Sequence, residues 1–529
     1  MDLPKIINRK NIYFFGLFLM VVALPLSKFL MSVAQLGIVS FWLIDPAILQ
    51  KFKAFFKNRA AVIVVSLFLL HVIGLLWTTD FDYAIKDLRT KIPILALPVI
   101  ISTSPKLSRK QFHLLMVIFL AANVIGSFFS MHELLTKDLT EIRKVSIFIS
   151  HIRFGLNICV AIFAGVFLVI KGDCPNYIKA MLVLAISWLL VFLVIIESMT
   201  GLMVVFIVAI ILVVIWVFKQ KNLTARLALI AVLIVVPIVL FVYIRSIYLE
   251  TLPKEELNLS TLDKKTDRGN IYYIDTNNLI VENGYYVGIY IQNEELREAW
   301  NERSRYDFDG HDSIGQVLKY TLYRFLTSKG LRKDYNGVQK LSNEEIWAVE
   351  KGIANIDQMV ESSIRTRIKT IFWEFRVYFK QGHFSGHSVT QRIEFWHASL
   401  RIIDKHFWFG TGTGDIDNAF RVEYDEMKTS LSQKVRWRSH NQYLSIFVAF
   451  GVTGFILFIY VLFAPALITK MYRDYFYAVF MMILLLSMLT EDTLESQAGV
   501  TFYAFLTSFF LFARTGPEPL FSQGLTREK

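Results

Sequence analysis

Long apolar runs separated by short polar stretches occupy most of the chain, and a run of about 20 residues is what a helix needs to cross the hydrocarbon core of a bilayer. Such runs fall near residues 11–30, 32–49, 60–77, 92–104, 111–130, 154–170, 177–196, 200–218, 226–244, 441–464, 475–490 and 498–513. The pattern predicts about twelve transmembrane helices. Its weakest members are 92–104, short and broken by Pro93 and Pro98, and 475–490, short and preceded by charge. The first run is followed at once by a second instead of a small-residue cleavage site, so it reads as a retained helix and not as a signal peptide.

The pattern stops between residues 246 and 440. Structureless connections beyond about 12 to 15 residues are uncommon, so this stretch is expected to fold outside the membrane. Within it, Ile271–Thr276 and Tyr285–Ile291, beside turn-rich TNN and ENG sequences, read as short strands. Residues 294–303, 314–328 and 343–379 read as helices, and a second half from Arg392 to His440 leads into the next span. The expected fold class is therefore mainly α, a polytopic membrane protein with one large mixed α/β loop domain. Its parts are 1–245, N-terminal transmembrane helices; 246–440, a periplasmic domain; and 441–529, C-terminal transmembrane helices with a cytoplasmic tail. No internal repeat or low-complexity tract is visible.

Composition agrees: 54% of residues are AVILMFWYC and only 19% are charged, which excludes a simple soluble protein. The net charge of +12 changes the picture through its placement. One alternate set of loops carries Lys5, Arg9 and Lys10; Lys51, Lys53, Lys57 and Arg59; Lys106, Arg109 and Lys110; Lys171 and Lys179; Lys219, Lys221 and Arg226; and Lys470 and Arg473. The opposite set carries the acidic turn Glu491, Asp492, Glu495 and the Glu197–Gly201 turn. The excess of Lys and Arg on one side predicts cytoplasmic termini and an outward 246–440 domain. The basicity thus reads as topology, with no nucleic-acid partner. Cys159 and Cys174 lie in one apolar segment and the loop after it, which supports neither a disulfide framework nor a thiolate metal site.

Titratable and aromatic residues concentrate in 391–445, QRIEFWHASLRIIDKHFWFGTGTGDIDNAF and then RWRSHNQYLS. Trp, Phe and Arg in this density also suit a helix lying at the headgroup level. His440, however, falls at the outer mouth of a span, with Arg436 and Arg438 before it and Asn441 and Tyr443 after it. A neutral imidazole there can accept a proton from a hydroxyl, and arginines beside it can bind phosphate oxygens in pairs. Together they suit attack of an alcohol on a phosphate-activated, lipid-linked group. Other signals are weaker. His383 and His387 in GHFSGH have metal-compatible spacing, but Gly382 and Gly386 favour a loop and no third ligand is near. Asp415 and Asp417 form a D-x-D that keeps a divalent-ion mechanism as a minority reading. GTGTGD lacks the Lys of a nucleotide phosphate loop and reads as a close-packed turn.

In order and spacing, Arg392, Trp396, the WFGTGTGD stretch from Trp408 to Asp415, and His440, Asn441, Tyr443 and Leu444 with Gly451 and Gly454 beyond resemble the O-antigen ligase and polymerase superfamily, most strongly over about 390–460. The resemblance implies a C-type, inverting glycosyltransferase moving a glycan from undecaprenyl pyrophosphate to an acceptor hydroxyl at the periplasmic face of the bacterial inner membrane, with no metal or other cofactor. The implied partners are the lipid-linked donor, lipid A core or another hydroxyl acceptor, and the bilayer. By the same resemblance, Arg392 matches the arginine that binds the donor pyrophosphate and His440 the base for the acceptor hydroxyl.

One departure stands out. The family often carries a Ser-Arg turn at the outer start of a mid-chain helix, where this chain has Ser198, Met199, Thr200, Gly201. Arg153, in SHIRFG at the mouth of the 154–170 run, is the expected replacement, with Arg438 second; snorkelling to headgroups is the other reading of Arg153. Glu491, Asp492 and Glu495 can orient an Arg or His, or form a solvated turn. Glu197 can pair with a site arginine or cap the next helix. A ligase onto lipid A core is the expected activity. A polymerase and a protein O-oligosaccharyltransferase share the donor chemistry, and the 246–390 insert, with Tyr272, Tyr273, Tyr285, Tyr286, Tyr290 and Trp300, suits acceptor stacking or a folded core equally. A transporter is the main non-enzyme alternative, opposed by the missing repeat, the few ionisable residues deep in the spans and the late placement of the outward domain.

Overall fold

The computed structural model describes residues 9–136, 146, 148–276, 279–360, 364–381 and 389–519. It divides into two compact units, Met1–Leu229 with Arg392–Lys529, and Ile230–Gln391.

The first unit opens with α1 (Arg9–Leu26), α2 (Lys28–Leu43), α3 (Ile48–Lys57), α4 (Arg59–Ile73), α5 (Phe81–Thr103), α6 (Arg109–Thr136), α7 (His151–Lys171), α8 (Asn176–Ile195) and α9 (Met199–Lys219), and α10 (Leu223–Glu250) leads from it into the second. The second unit holds a two-strand hairpin, β1 (Val281–Glu282) and β2 (Tyr285–Tyr286), then α11 (Asn293–Arg303), α12 (Leu318–Ser328), α13 (Tyr335–Gln339), α14 (Asn343–Glu350), α15 (Asp357–Val360) and α16 (Ile364–Gln381). The chain returns through α17 (Thr390–Lys405) to α18 (Ile416–Glu426), α19 (Gln442–Thr469), α20 (Tyr475–Ser487) and α21 (Gln497–Phe512).

The apolar runs fall on helices, with 11–30 shared between α1 and α2 and 32–49 between α2 and α3, and the chain is a mainly α, multi-pass membrane protein. Among the described residues eight helices are long and apolar enough to cross a bilayer, or nine if the bent pair α2–α3 is one span, against the twelve expected. The shortfall has physical causes. α20 and α21 have 13 and 16 residues, and α5 carries Lys86, Asp87, Arg89 and Lys91 besides Pro93 and Pro98. The 32–49 run is not one rod: α2 stops before Asp45–Pro46 and α3 leaves at 107°, because a residue preceding proline is driven out of the helical region. Polar residues open the spans, with Ser27, Asn58, Asp80, Asn441, Asp474 and Ser496 each accepting a backbone N–H of the helix they cap. α21 is buried along nearly its whole length, whereas α10 shows an apolar face all round and is almost entirely exposed, as suits a helix solvated by lipid.

The first unit has two unlike ends. At one, the loops 78–80, 150–153, 196–198, 406–417, 436–441 and 488–496 gather. At the other lie Arg9, Asp45 and Lys51, together with Arg109 paired to Glu518 and Arg514 paired to Asp474.

In the second unit a core around Trp300, Leu322, Phe325, Leu326 and Val349 is closed by the helices. The ENG turn joins β1 to β2 in register Val281↔Tyr286 and Glu282↔Tyr285. The longer strands expected there do not form: Tyr273 and Ile291 make one isolated bridge, and Tyr290 at φ +55° breaks the extended run. The single helix expected over 343–379 is interrupted, since Gly352 at φ +81° ends α14 with Ile353 N–H bonded back to Ala348. Trp300 and Tyr272 belong to the folded interior, while Tyr273 is exposed.

Candidate functional site

The turn 488–496 between α20 and α21 is the hub of the site. α17 brings Arg392 to it, and Nη2 of Arg392 donates to Oε1 of Glu491 at 3.0 Å. One turn along the same face, the Phe395 ring lies tilted against the His440 ring at 5.7 Å between centroids and Trp396 Nε1 donates to the Ser439 carbonyl at 3.0 Å, the i, i+3, i+4 spacing that puts side chains on one helical stripe. Nε of Arg392 is buried with no hydrogen-bond partner among the described residues. A buried, unsatisfied guanidinium donor is costly without an anion.

His440 holds φ +46°. Its backbone N–H donates to Oδ2 of Asp492 at 3.0 Å, and Oδ1 of the same carboxylate accepts from Ser445 at 2.7 Å and Ser439 at 3.3 Å. Its ring is half-buried, and no described group hydrogen-bonds the ring nitrogens. Asn441 caps α19 and anchors to the Leu489 carbonyl at 3.1 Å, and Tyr443 reaches the Leu485 carbonyl at 3.0 Å. Both tie the start of α19 to the end of α20.

Arg153, in the first turn of α7, is 7% exposed. Its Nη2 donates to the Asp492 carbonyl at 2.9 Å, with longer contacts to Thr493 and Ser496 at 3.4 Å each. The Met199 turn sits beside α7: a β-carbon on Gly155, two residues after Arg153, would lie 2.9 Å from the Ser198 hydroxyl. α7 thus packs on the Ser198 turn at Gly155, while the Arg153 guanidinium is turned toward the 492–496 turn. Glu197, at φ +50°, shapes this turn through a Met199 N–H bond to its carbonyl of 2.8 Å.

The electrostatics follow from this crowding. Burial pushes the Glu491 carboxyl above its usual range, opposed by Arg153, Arg392 and His440 and reinforced by Asp492. Burial works against the charge of Arg438, yet the bonds to Asp417, Glu495 and Tyr83 outweigh it and raise that pKa. Arg438 donates to Asp417 at 2.6 Å and Glu495 at 3.2 Å, with its third nitrogen on the Tyr83 hydroxyl. Arg436 points to Asp425 and the Leu431 carbonyl, bracing the loop before His440.

Behind Glu495 lies a buried chain that the sequence reading passed over. Lys91 Nζ donates to Glu495 at 3.2 Å and to Asp87 at 2.7 Å, and Asp87 meets His71 Nδ1 at 2.8 Å. The signal was present as Asp87 and Lys91 at i, i+4 ahead of Pro93 and a His inside an apolar run. The spans are thus less free of buried charge than their average hydropathy implies, and such groups persist in apolar helices only when paired.

The GTGTGD stretch is a close-packed turn. Gly451, φ +61° and ψ −166°, breaks α19, and a β-carbon there would sit 2.4 Å from the Trp408 carbonyl carbon. The orphaned groups are satisfied across the break: Thr411 N–H bonds Val448, Gly412 N–H bonds Ala449 and Val452 N–H bonds Phe407, all within 2.9 Å. Asp415 clasps the backbone N–H groups of Thr79 at 2.6 Å and Asp80 at 3.1 Å, while Asp417 serves Arg438, so the two carboxylates of the D-x-D have separate partners. His383 and His387 lie outside the described residues.

The structure therefore brings Arg392, Arg153, His440, Glu491 and Asp492 together, with Arg438 and Glu495 beside them through the same turn. Residues 331–459 match the family model described as O-antigen ligase, which supports a place in the O-antigen ligase superfamily. The matched segment contains Arg392, the GTGTGD turn and His440, and excludes Arg153 and the 488–496 turn. No curated protein matches the chain.

Proposed function

We propose that this multi-pass membrane protein, which carries an O-antigen ligase segment over 331–459, transfers a glycan from undecaprenyl pyrophosphate to a hydroxyl of lipid A core at the periplasmic face of the inner membrane. The observation that carries the reading is the convergence on the 491–493 turn of two guanidinium groups, Arg392 and Arg153, and of the His440 backbone, whose ring nitrogens have no hydrogen-bond partner among the described residues.

In this reading Arg392, whose side chain is partly exposed, and Arg153 hold the pyrophosphate. The acceptor hydroxyl gives its proton to a ring nitrogen of His440 as its oxygen attacks the anomeric carbon. The bond from that carbon to the phosphate oxygen breaks, and the electron pair leaves with the pyrophosphate, where the arginines meet the developing charge. Attack opposite the leaving group inverts the anomeric centre, and the imidazolium later returns its proton to water. Asp492 fixes the backbone of His440, Glu491 orients Arg392, and Arg438 with Glu495 hold the loop and the turn together. The basic opposite end of the first unit supports placing the site outward. The second unit, with Tyr273 exposed, is assigned to acceptor recognition.

The test is the lipopolysaccharide profile and lipid-linked glycan pool of a deletion strain complemented with wild type, His440→Ala and Arg392→Ala at equal expression. Polymer accumulating on the lipid carrier above bare lipid A core identifies a ligase. Core bearing single repeats identifies a polymerase, and two unchanged pools overturn both and raise protein glycosylation or transport.

A further inference from the structure

At the basic end of the first unit, α1, α2, the Asp45–Pro46 turn and the residues after α5 enclose a cavity of about 670 Å³, within the range of single-ligand sites. Its inner wall is apolar, formed by Phe15, Leu19, Ile38 and Ile100. Its mouth is charged: Arg9 and Lys51 flank Asp45 at 3.1 and 2.8 Å, with Lys10 beside them. Among the described residues, Arg9 and Lys51 share the single carboxylate of Asp45 and leave an excess of positive charge. Trp42, its Nε1 bonded to Thr103 at 2.8 Å, stands at the same level, and Trp with Lys and Arg marks the headgroup depth of a membrane protein.

The interior is held open by an absence of side chain. A β-carbon on Gly16 would meet Ile38 at 2.6 Å, so α1 needs that glycine to pack on α2. Gly37, which lines the cavity, is different, because a β-carbon there would meet nothing within 4 Å. A glycine inside an apolar helix is destabilising relative to alanine, and no neighbouring atom among the described residues explains it. An occupant of the cavity does.

That occupant must be apolar along its length, anionic at one end and present at the headgroup depth on the basic side. We propose that the cavity binds one anionic phospholipid, with an acyl chain against Ile38 and Gly37 and the phosphate at Arg9 and Lys51. The proposal is independent of the transfer reaction.

To test it, full-length protein in detergent is mixed with equal amounts of palmitoyl-oleoyl phosphatidylglycerol and phosphatidylethanolamine and examined by native mass spectrometry. One phosphatidylglycerol is expected to be retained over phosphatidylethanolamine by about tenfold, given two basic side chains at the headgroup. Gly37→Leu fills the open space and should lower retention of both lipids. Arg9→Gln/Lys51→Gln should remove the preference for phosphatidylglycerol alone. Equal retention of the two lipids by wild type, no retained lipid, or retention unchanged in both variants overturns the proposal.

Discussion

The backbone N–H of His440 donates to Oδ2 of Asp492 at 3.0 Å, and the same aspartate offers its carbonyl to Arg153 at 2.9 Å. One residue of the 488–496 turn therefore sets both the imidazole and a guanidinium. A non-glycine residue at φ +46° is held there only by its surroundings. Asp492→Ala should let the His440 backbone relax and lower transfer by roughly 100-fold, the size expected for a displacement of about 1 Å at a reacting group. Glycan transfer by membranes containing equal amounts of each protein checks this, and activity within a few-fold of wild type would remove Asp492 from the positioning role.

Arg153 spreads its guanidinium nitrogens over Asp492, Thr493 and Ser496, so its planar fork should matter beyond its charge. Arg153→Lys keeps the charge but loses bidentate geometry, and donor affinity is expected to fall by about tenfold. Binding of the lipid-linked donor to purified protein is the measurement. Unaltered affinity in both Arg153→Lys and Arg153→Ala would mean that the pyrophosphate is held elsewhere.

Glu491 carries a pH dependence whose sign is fixed by burial. Its folded pKa lies above the ordinary 4.5, so between these two values the folded state holds the proton more tightly than the unfolded chain. Stability contributed by this group is full below about pH 4.5 and declines as pH rises through the raised value. Glu491→Gln, neutral throughout, should flatten that decline. Thermal unfolding across a pH series shows whether it does.

Lys91 is completely buried between Asp87 and Glu495. Lys91→Met leaves two buried carboxylates short of a counter-ion and should cost about 3–5 kcal/mol, whereas Asp87→Asn/Lys91→Met removes one charge of each sign and should recover much of the loss. Unfolding of the two variants side by side in detergent decides the matter. A double variant no more stable than the single would show that the pair is not acting as a charge-balanced unit.

In the second unit, burial lowers the Lys333 ammonium to about 7, with Asp334 opposing the shift. Because the unfolded chain binds that proton more tightly, stability should rise as pH climbs from about 7 toward the ordinary Lys value and be lowest below that window. Lys333→Met should make limited proteolysis of residues 230–391 equally slow at about pH 6 and about pH 9. A variant that keeps the wild-type difference would assign the dependence to another group.

Period and caps made much of this protein legible before any coordinates. Twelve apolar runs became helices because a backbone in an apolar medium must satisfy its own hydrogen bonds, and Ser, Asn and Asp marked their starts. The concentration of Arg, His and Trp at 391–445 was likewise visible, since all of it lies in one stretch of sequence. The weakness of 92–104 and 475–490 was visible too, and they fall on α5 and α20, but the sharp bend of 32–49 between α2 and α3 was not. Span counting sums hydropathy, whereas bends depend on where the helix meets its neighbours.

The sequence by itself determined the membrane class, the separation of a basic end from an acidic turn, and the order Arg392, GTGTGD, His440. Only the tertiary structure decided which side chains meet. Arg153 finds Asp492 across 339 residues, Lys91 finds Glu495 across 404, and Arg438 finds Tyr83 across 355. Local periodicity specifies the face a residue occupies on its own helix. It carries nothing about which distant helix packs there, and buried charges choose partners only after that packing has removed water from around them.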